Sequence, residues 1–369
     1  MTMEVMFGAL QDQIQKPWDR LAARARWMRR AKLAAMYGFL IVVSAPVLLP
    51  YFWMVTVAFS YKTGTVDTLI LWRAMAILLP FVFGCWIWST IGATARQMFF
   101  GFAVITAVAV AAFVILVLPD LHLGNFIFIG ERNFGDIVRE TRTGSKKGEV
   151  SGGIDFPSVW LAFANSLYLA GGQTIIVAVI ASLAGYYLSR FEFAGRAAML
   201  RSLLVLHAFP VLTLIVPLFL IMNFVGLLDQ LLGVMLVLVG FELPFAIFIM
   251  KGFFDAVPWE IEMSALTDGA SRRQTFVRVV LPQVTNGLIA ISVFSFIRGW
   301  EEYIFVFTFL IDNVNWTMSL YMFFVRDDIL GIDFGLVSAV GVFYLAPSLV
   351  LYLVAQKYLA QMTIGGVKG

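Results

Sequence analysis

The sequence has little charge and few of the residues that carry enzyme chemistry. Asp, Glu, Lys and Arg make up 13% of its 369 residues, and it has 2 histidines and 1 cysteine. Soluble globular domains carry about 25% charged residues, so a chain with 61% hydrophobic residues and a mean hydropathy of +0.89 has the bilayer as its solvent. Cys85 lies in an apolar run, reads as a packing residue and has no partner for an intramolecular disulfide, which leaves the redox compartment open. His122 and His207 with no cysteine pair give a metal site no support, and His207, ahead of Pro210, reads as a helix-packing residue. No histidine cluster, nucleophile elbow or acidic metal pair points to a membrane enzyme. No GxxxxGK[ST] loop occurs, so ATP hydrolysis is not expected of this chain itself. The alternation of about ten residues that marks a membrane barrel is absent. So are the internal repeats common in gradient-driven secondary transporters, the alternative transport class.

Apolar runs of at least about 18 residues are plentiful, and in hydrocarbon each must satisfy its own backbone hydrogen bonds, so the expectation is an all-α polytopic membrane protein. Eight spans can be drawn, at about 38–60, 68–90, 99–118, 160–189, 202–225, 230–250, 284–310 and 334–356. With eight spans both termini share a side. Counting Lys and Arg, 17 of the 26 fall on that side, including Lys16, Arg20, Arg24, Arg26, Arg29, Arg30 and Lys32, and 9 fall opposite or within spans. The positive-inside rule then puts both termini in the cytoplasm. The net charge of +3 thus serves topology and does not imply nucleic acid. Residues 1–36, with basic side chains beside Trp18, Leu21 and Trp27, read as a basic amphipathic interfacial segment; a disordered basic tail is the alternative. Residues 37–118 form N-terminal spans and 119–158 an extracytoplasmic loop, whose stretch Thr143 to Glu149 is rich in Gly, Ser and charge and is expected to be mobile. A core of 159–369 follows.

The cytoplasmic loop 251–282 has the signs of a helical hairpin. Pro258 stands at a first turn followed by Glu260 and Glu262, Asp268-Gly269 ends the turn, and Arg272 to Val280 form a second short helix closed by Leu281-Pro282. Ionisable residues inside spans are functional candidates. Arg298, Glu301 and Glu302, at spacings of three and four, are expected on one helix face, either lining a solute path, neutralising one another or contacting another subunit. Glu242, before Pro244, either faces the same cavity or bonds a neighbouring helix.

Ile261 to Pro282, IEMSALTDGASRRQTFVRVVLP, resembles the coupling loop of binding-protein-dependent ABC importer permeases. In that pattern a Glu-Ala-Ala triplet precedes Asp-Gly-Ala and, after a gap, Leu-Pro. Ser264 and Ala265 stand at the two alanine positions, and Asp268, Gly269, Ala270, Leu281 and Pro282 match the rest. Met263 occupies the glutamate position; Glu262 is adjacent, roughly 100° away around a helix. The resemblance covers about 160–369. It includes Asn165-Ser166-Leu167 opening a span, the Arg190 to Arg196 stretch, Gly299-Trp300-Glu301-Glu302-Tyr303 where the family has Trp-Asn-Glu, and the ending Gly365 to Gly369, which looks like that of the maltose-type, MalG-like carbohydrate permeases.

The resemblance implies a type I, MetI-like importer core in the cytoplasmic membrane, with about 68–118 inserted as an extra pair of helices. It implies import of a carbohydrate or polyol by alternating access. The partners it implies are a second homologous permease, two cytoplasmic ATPase subunits that bind ATP and Mg, and an extracytoplasmic solute-binding protein. No cofactor is expected on this chain. Trp300 and Tyr303 then become candidates for stacking on a sugar ring.

Overall fold

A computed structural model describes residues 28–60 (apart from 30, 31, 34, 41 and 45), 68–90, 95–130, 156–208, 210–326 and 334–365. The expected interfacial segment falls almost wholly outside the described residues, as does the stretch Thr143 to Glu149. The described chain is helical, and by Cα packing it divides into two units, Met1–Gly124 and Asn125–Gly369.

In the first unit, α1 is a bent pair, Ala35–Ser44 and Pro46–Ala58, at 53° to each other. α2 is Thr68–Thr90 and α3 is Ala95–Leu116. The span expected over 38–60 is thus kinked, and the kink falls just before Pro46, whose ring excludes the preceding turn of a continuous helix. The end of α1 meets the segment after α3 where the His122 amide donates to the Phe59 carbonyl at 2.6 Å, and Arg73 on α2 pairs with Asp120 after α3.

In the second unit, α4 (Val159–Arg190) and α7 (Leu231–Asp255) are long helices, separated in the chain by α5 (Arg196–His207) and α6 (Ile215–Phe224). Then come α8 (Trp259–Thr267), α9 (Arg272–Gln283), α10 (Thr285–Glu301), α11 (Ile304–Phe309), α12 (Met318–Arg326) and α13 (Phe334–Gly365). α4 packs along both α7 and α10. Its buried positions, among them Ala162, Ser166, Leu169, Gln173, Val177, Ala181 and Leu188, recur at helical spacing and are mainly small. In lipid there is no hydrophobic drive between helices, so close backbone approach supplies the attraction. A Cβ at Gly185 would lie 2.9 Å from the Lys251 amide nitrogen on α7, and one at Gly299 would lie 2.9 Å from the Ala170 Cα.

Among the described residues, five helices are long and apolar enough to cross a membrane, and eight spans result if each of three bent pairs counts as one. Two further expected spans are broken. The one over 202–225 bends by 88° between α5 and Val211–Phe224, because Pro210, in extended backbone (φ −66°, ψ 105°), cannot continue a helix. The one over 284–310 ends at Glu301 and resumes as α11.

A candidate docking hairpin and a charged helix break

α7 ends at Asp255, and Pro258, with φ −56°, starts α8, where a missing N–H breaks no bond. Glu260 and Glu262 in the first turn complement the helix dipole. α8 stops at Asp268, and Gly269 takes φ +89°, a left-handed value that strains other residues. Ser271 then opens α9 with a reciprocal cap: the Gln274 amide donates to Ser271 Oγ at 3.3 Å, and the Ser271 amide donates to Gln274 Oε1 at 2.9 Å. The expected closure at Leu281-Pro282 is corrected. α9 runs through a π turn over Phe276–Val280 to Gln283, and Pro282 sits at the start of a renewed turn, where no N–H is needed. The 76° bend into α10 falls at Val284.

The rotation of α8 separates two adjacent side chains. Glu262 is 4% exposed and Met263 42%. Tyr186 of α4 donates its hydroxyl to Glu262 Oε1. Arg190 Nε lies 2.9 Å from Glu262 Oε2, a close ion pair off the hydrogen-bond line. Arg190 Nη2 donates to the Val257 carbonyl at 2.9 Å, and its guanidinium covers the Trp259 ring at 5.5 Å. The Tyr186 ring packs on Phe254 and Phe276, at 5.6 and 4.7 Å between centroids. Met263, Ser264, Asp268, Gly269 and Pro282 stay exposed, with Ala265, Ala270 and Leu281 half-buried. The hairpin therefore has a buried polar root and an open crest of small residues around Met263. Sequence reasoning missed Tyr186 and read Arg190 only as a topology charge and as the first residue of the Arg190 to Arg196 stretch. Their spacing of four at the end of a long span was the available signal, because it puts both on one helix face.

The charged residues of α10 do not form the single face expected. The helix ends at Glu301, and Glu302, at φ −63° and ψ 120°, turns its carboxylate to cap α11, accepting from the Phe305 amide at 2.9 Å. The Glu302 carbonyl accepts from Ser319 Oγ at 2.6 Å. Arg298 meets Glu242 of α7, Nε to Oε2 at 3.9 Å, with side chains 70% and 10% exposed. Glu301 is exposed, and Tyr303 is half-buried against Phe307 and Phe323. Trp300 is 1% exposed, stacked on Phe296 and Tyr344. Its Nε1 donates to the Tyr344 carbonyl at 3.1 Å, and the Tyr344 hydroxyl donates to the Trp300 carbonyl at 3.1 Å, so this indole joins α10 to α13. His207 stacks on Phe245 at 5.0 Å. An apolar cavity of about 560 Å³ between α5, α6 and α7, lined by Leu206, Leu218, Met222, Val237 and Phe241 among others, offers no polar side chain to a hydroxylated solute.

Beyond α6, Asp229 holds a second polar tie. Its Oδ1 accepts from the Ile311 and Asp312 amides at 2.8 and 3.1 Å and from Asn315 Nδ2 at 3.2 Å. Burial opposes the charge, but these donors outweigh it and hold the carboxyl below its ordinary range.

Residues 174–364, half of the chain and all within the second unit, match the family described as binding-protein-dependent transport system inner membrane component. The chain belongs to this family. Among its relatives, the inner membrane ABC transporter permease protein YcjP of Escherichia coli is 31% identical over 210 residues, 56% of this chain and 74% of the relative. The trehalose transport system permease protein SugB of Mycobacterium tuberculosis is 30% identical over 210 residues, 56% of this chain and 77% of the relative. A solved bacterial ABC transporter involved in import of the acidic polysaccharide alginate shares the fold. The match has a TM-score of 0.59 and 17% identity, and covers 89% of this permease and 96% of that chain. The permease is thus a multi-pass membrane transport component, not an enzyme, and works with a separate ATPase and a binding protein. The gradient-driven alternative finds no support in these matches.

Proposed function

We propose that this permease passes a carbohydrate or related polyol across the cytoplasmic membrane as one half of a heterodimer with a second permease. The complex would carry two ATPase subunits, one of them docked on the α8–α9 hairpin of this chain. The observation that carries the reading is that hairpin: a helix fixed at its root, with an exposed crest of Met263, Ser264, Asp268 and Gly269 shallow enough to enter a partner's cleft. The distribution of basic residues supports a cytoplasmic hairpin and cytoplasmic termini. ATP and Mg belong to the partner in this reading, and this chain supplies movement.

The solute class is supported by relatives whose names specify trehalose, diacetylchitobiose and trehalose/maltose transport. Site chemistry agrees. Non-helical backbone at membrane depth is tolerated where it is buried in protein or lines a cavity. Exposed Arg298 and Glu301 flank the break at Glu302, with Glu242 and Tyr303 nearby, and offer hydrogen bonds to hydroxyl groups. Trp300 and Glu302 hold the break in shape from within.

Purification from native membranes in mild detergent tests the assembly. Recovery of a second permease, an ATPase and a binding protein, with ATPase activity raised by sugar-loaded binding protein, is the expected result. Recovery of this chain alone, with uptake driven by an ion gradient, overturns it.

A further inference from the structure

We propose that Tyr186, Arg190 and Glu262 form a buried clamp that makes α8 move with α4, so that Glu262 is a positioning residue for coupling and not a contact to the ATPase. The proposal rests on the reading of α8 as the docking helix.

The geometry has three parts. Arg190 engages three points along the entry to α8: the Val257 carbonyl, the Trp259 ring and the Glu262 carboxylate. The Glu262 carboxylate is shared between Arg190 and the Tyr186 hydroxyl, so both of its oxygens are held by α4. The Tyr186 ring lies between Phe254 of α7 and Phe276 of α9, which ties the return limb of the hairpin to the same point. The Arg190 and Glu262 side chains are 6% and 5% exposed, so neither has a face to offer a partner. Breaking a buried pair leaves an uncompensated charge, whereas replacing both members by apolar residues is often neutral. A separation of α4 from α8 is therefore resisted, and a push on the crest of α8 arrives at α4 as a displacement of the whole helix. A direct contact role for Glu262 requires the carboxylate to leave this pocket.

The test uses the complete complex in nanodiscs with its ATPase and binding protein, in a Cys85→Ser background. Spin labels at Leu183→Cys on α4 and Glu260→Cys on α8, both exposed positions, report their separation with and without Mg·ATP plus vanadate. A single distance unchanged by nucleotide is expected; a distance that shifts with nucleotide in the otherwise native chain overturns the clamp, whatever the variants do. In a second measurement, Glu301→Cys is labelled with a membrane-impermeant maleimide, and the ratio of rates with and without nucleotide reads the pathway. Glu262→Gln should reduce that ratio roughly tenfold, within the range of allosteric coupling factors, and broaden the α4–α8 distance. The pair Arg190→Met with Glu262→Met should restore both. An unchanged ratio in Glu262→Gln overturns the clamp, as does a double variant that stays uncoupled while its α4–α8 distance is sharp. Gly269→Trp separates the underlying reading: if it leaves the nucleotide response intact, docking through α8 is wrong independently of Glu262.

Discussion

Two ion pairs of the second unit contrast in the respects that govern mechanics. Arg190–Glu262 is short, at 2.9 Å, enclosed, and joined by a tyrosine, a carbonyl and an aromatic face. Arg298–Glu242 is long, at 3.9 Å, and its arginine is 70% exposed. A dry, multiply bonded pair fixes one geometry, whereas an open pair exchanges partners with water or solute at small cost. The first suits a joint that passes on force, the second a pathway whose occupant changes.

Removing one charge from each pair sharpens this contrast, and the largest effect is expected at the clamp. Arg190→Met should lower stability by about 3–5 kcal/mol because Glu262 remains buried and unpaired, seen as a fall in the melting temperature of the detergent-solubilised protein. If the loss equals that of an exposed pair, the two regions do not differ as argued. Next comes the helix crossing behind the clamp: Gly185→Ala places a Cβ 2.9 Å from Lys251 N and Met250 Cβ. It should cost about 1–3 kcal/mol as overpacking, again by thermal melt. Arg298→Gln should cost less stability than Arg190→Met, because the pair is 3.9 Å long and its arginine is exposed, while substantially reducing sugar-stimulated ATPase activity. A large melting shift with intact stimulation would reverse the two roles.

The smallest effect concerns pH at Asp229. Its carboxyl is held below the ordinary range in the folded protein, so its stabilising contribution is present above the unfolded pKa and is lost as pH falls through the folded one. Melting temperature should therefore drop on acidification below the ordinary carboxylate range, and the drop should be smaller in Asp229→Asn. An identical profile in the variant would show that the Asp229 tie contributes nothing to the fold.

Much of the architecture was legible because its signals are local. Hydrophobic runs located α2, α3, α4, α7 and α13, and Pro258, Asp268-Gly269 and the start at Arg272 located both limbs of the hairpin. The breaks were harder. Pro210 was visible, yet hydropathy continued through it into α6, and the stop at Glu302 depends on the Ser319 hydroxyl and the Phe305 amide donating to that non-helical residue. The charged triad failed for the same reason: a spacing of four brings side chains together only while the helix continues. Trp300 read as a ring open to a ligand, but the Tyr344 backbone that accepts its N–H lies 44 residues away.

By itself, the sequence determined the solvent, the helical class, the approximate spans and the position of the hairpin, because composition, periodicity and turn chemistry act over a few residues. The tertiary structure decided which of Glu262 and Met263 faces inward and which acid meets Arg298. Adjacent residues on a helix differ by about 100° in direction. That angle has consequences only against neighbours from elsewhere in the chain, and Tyr186 lies 76 residues before the carboxylate it binds.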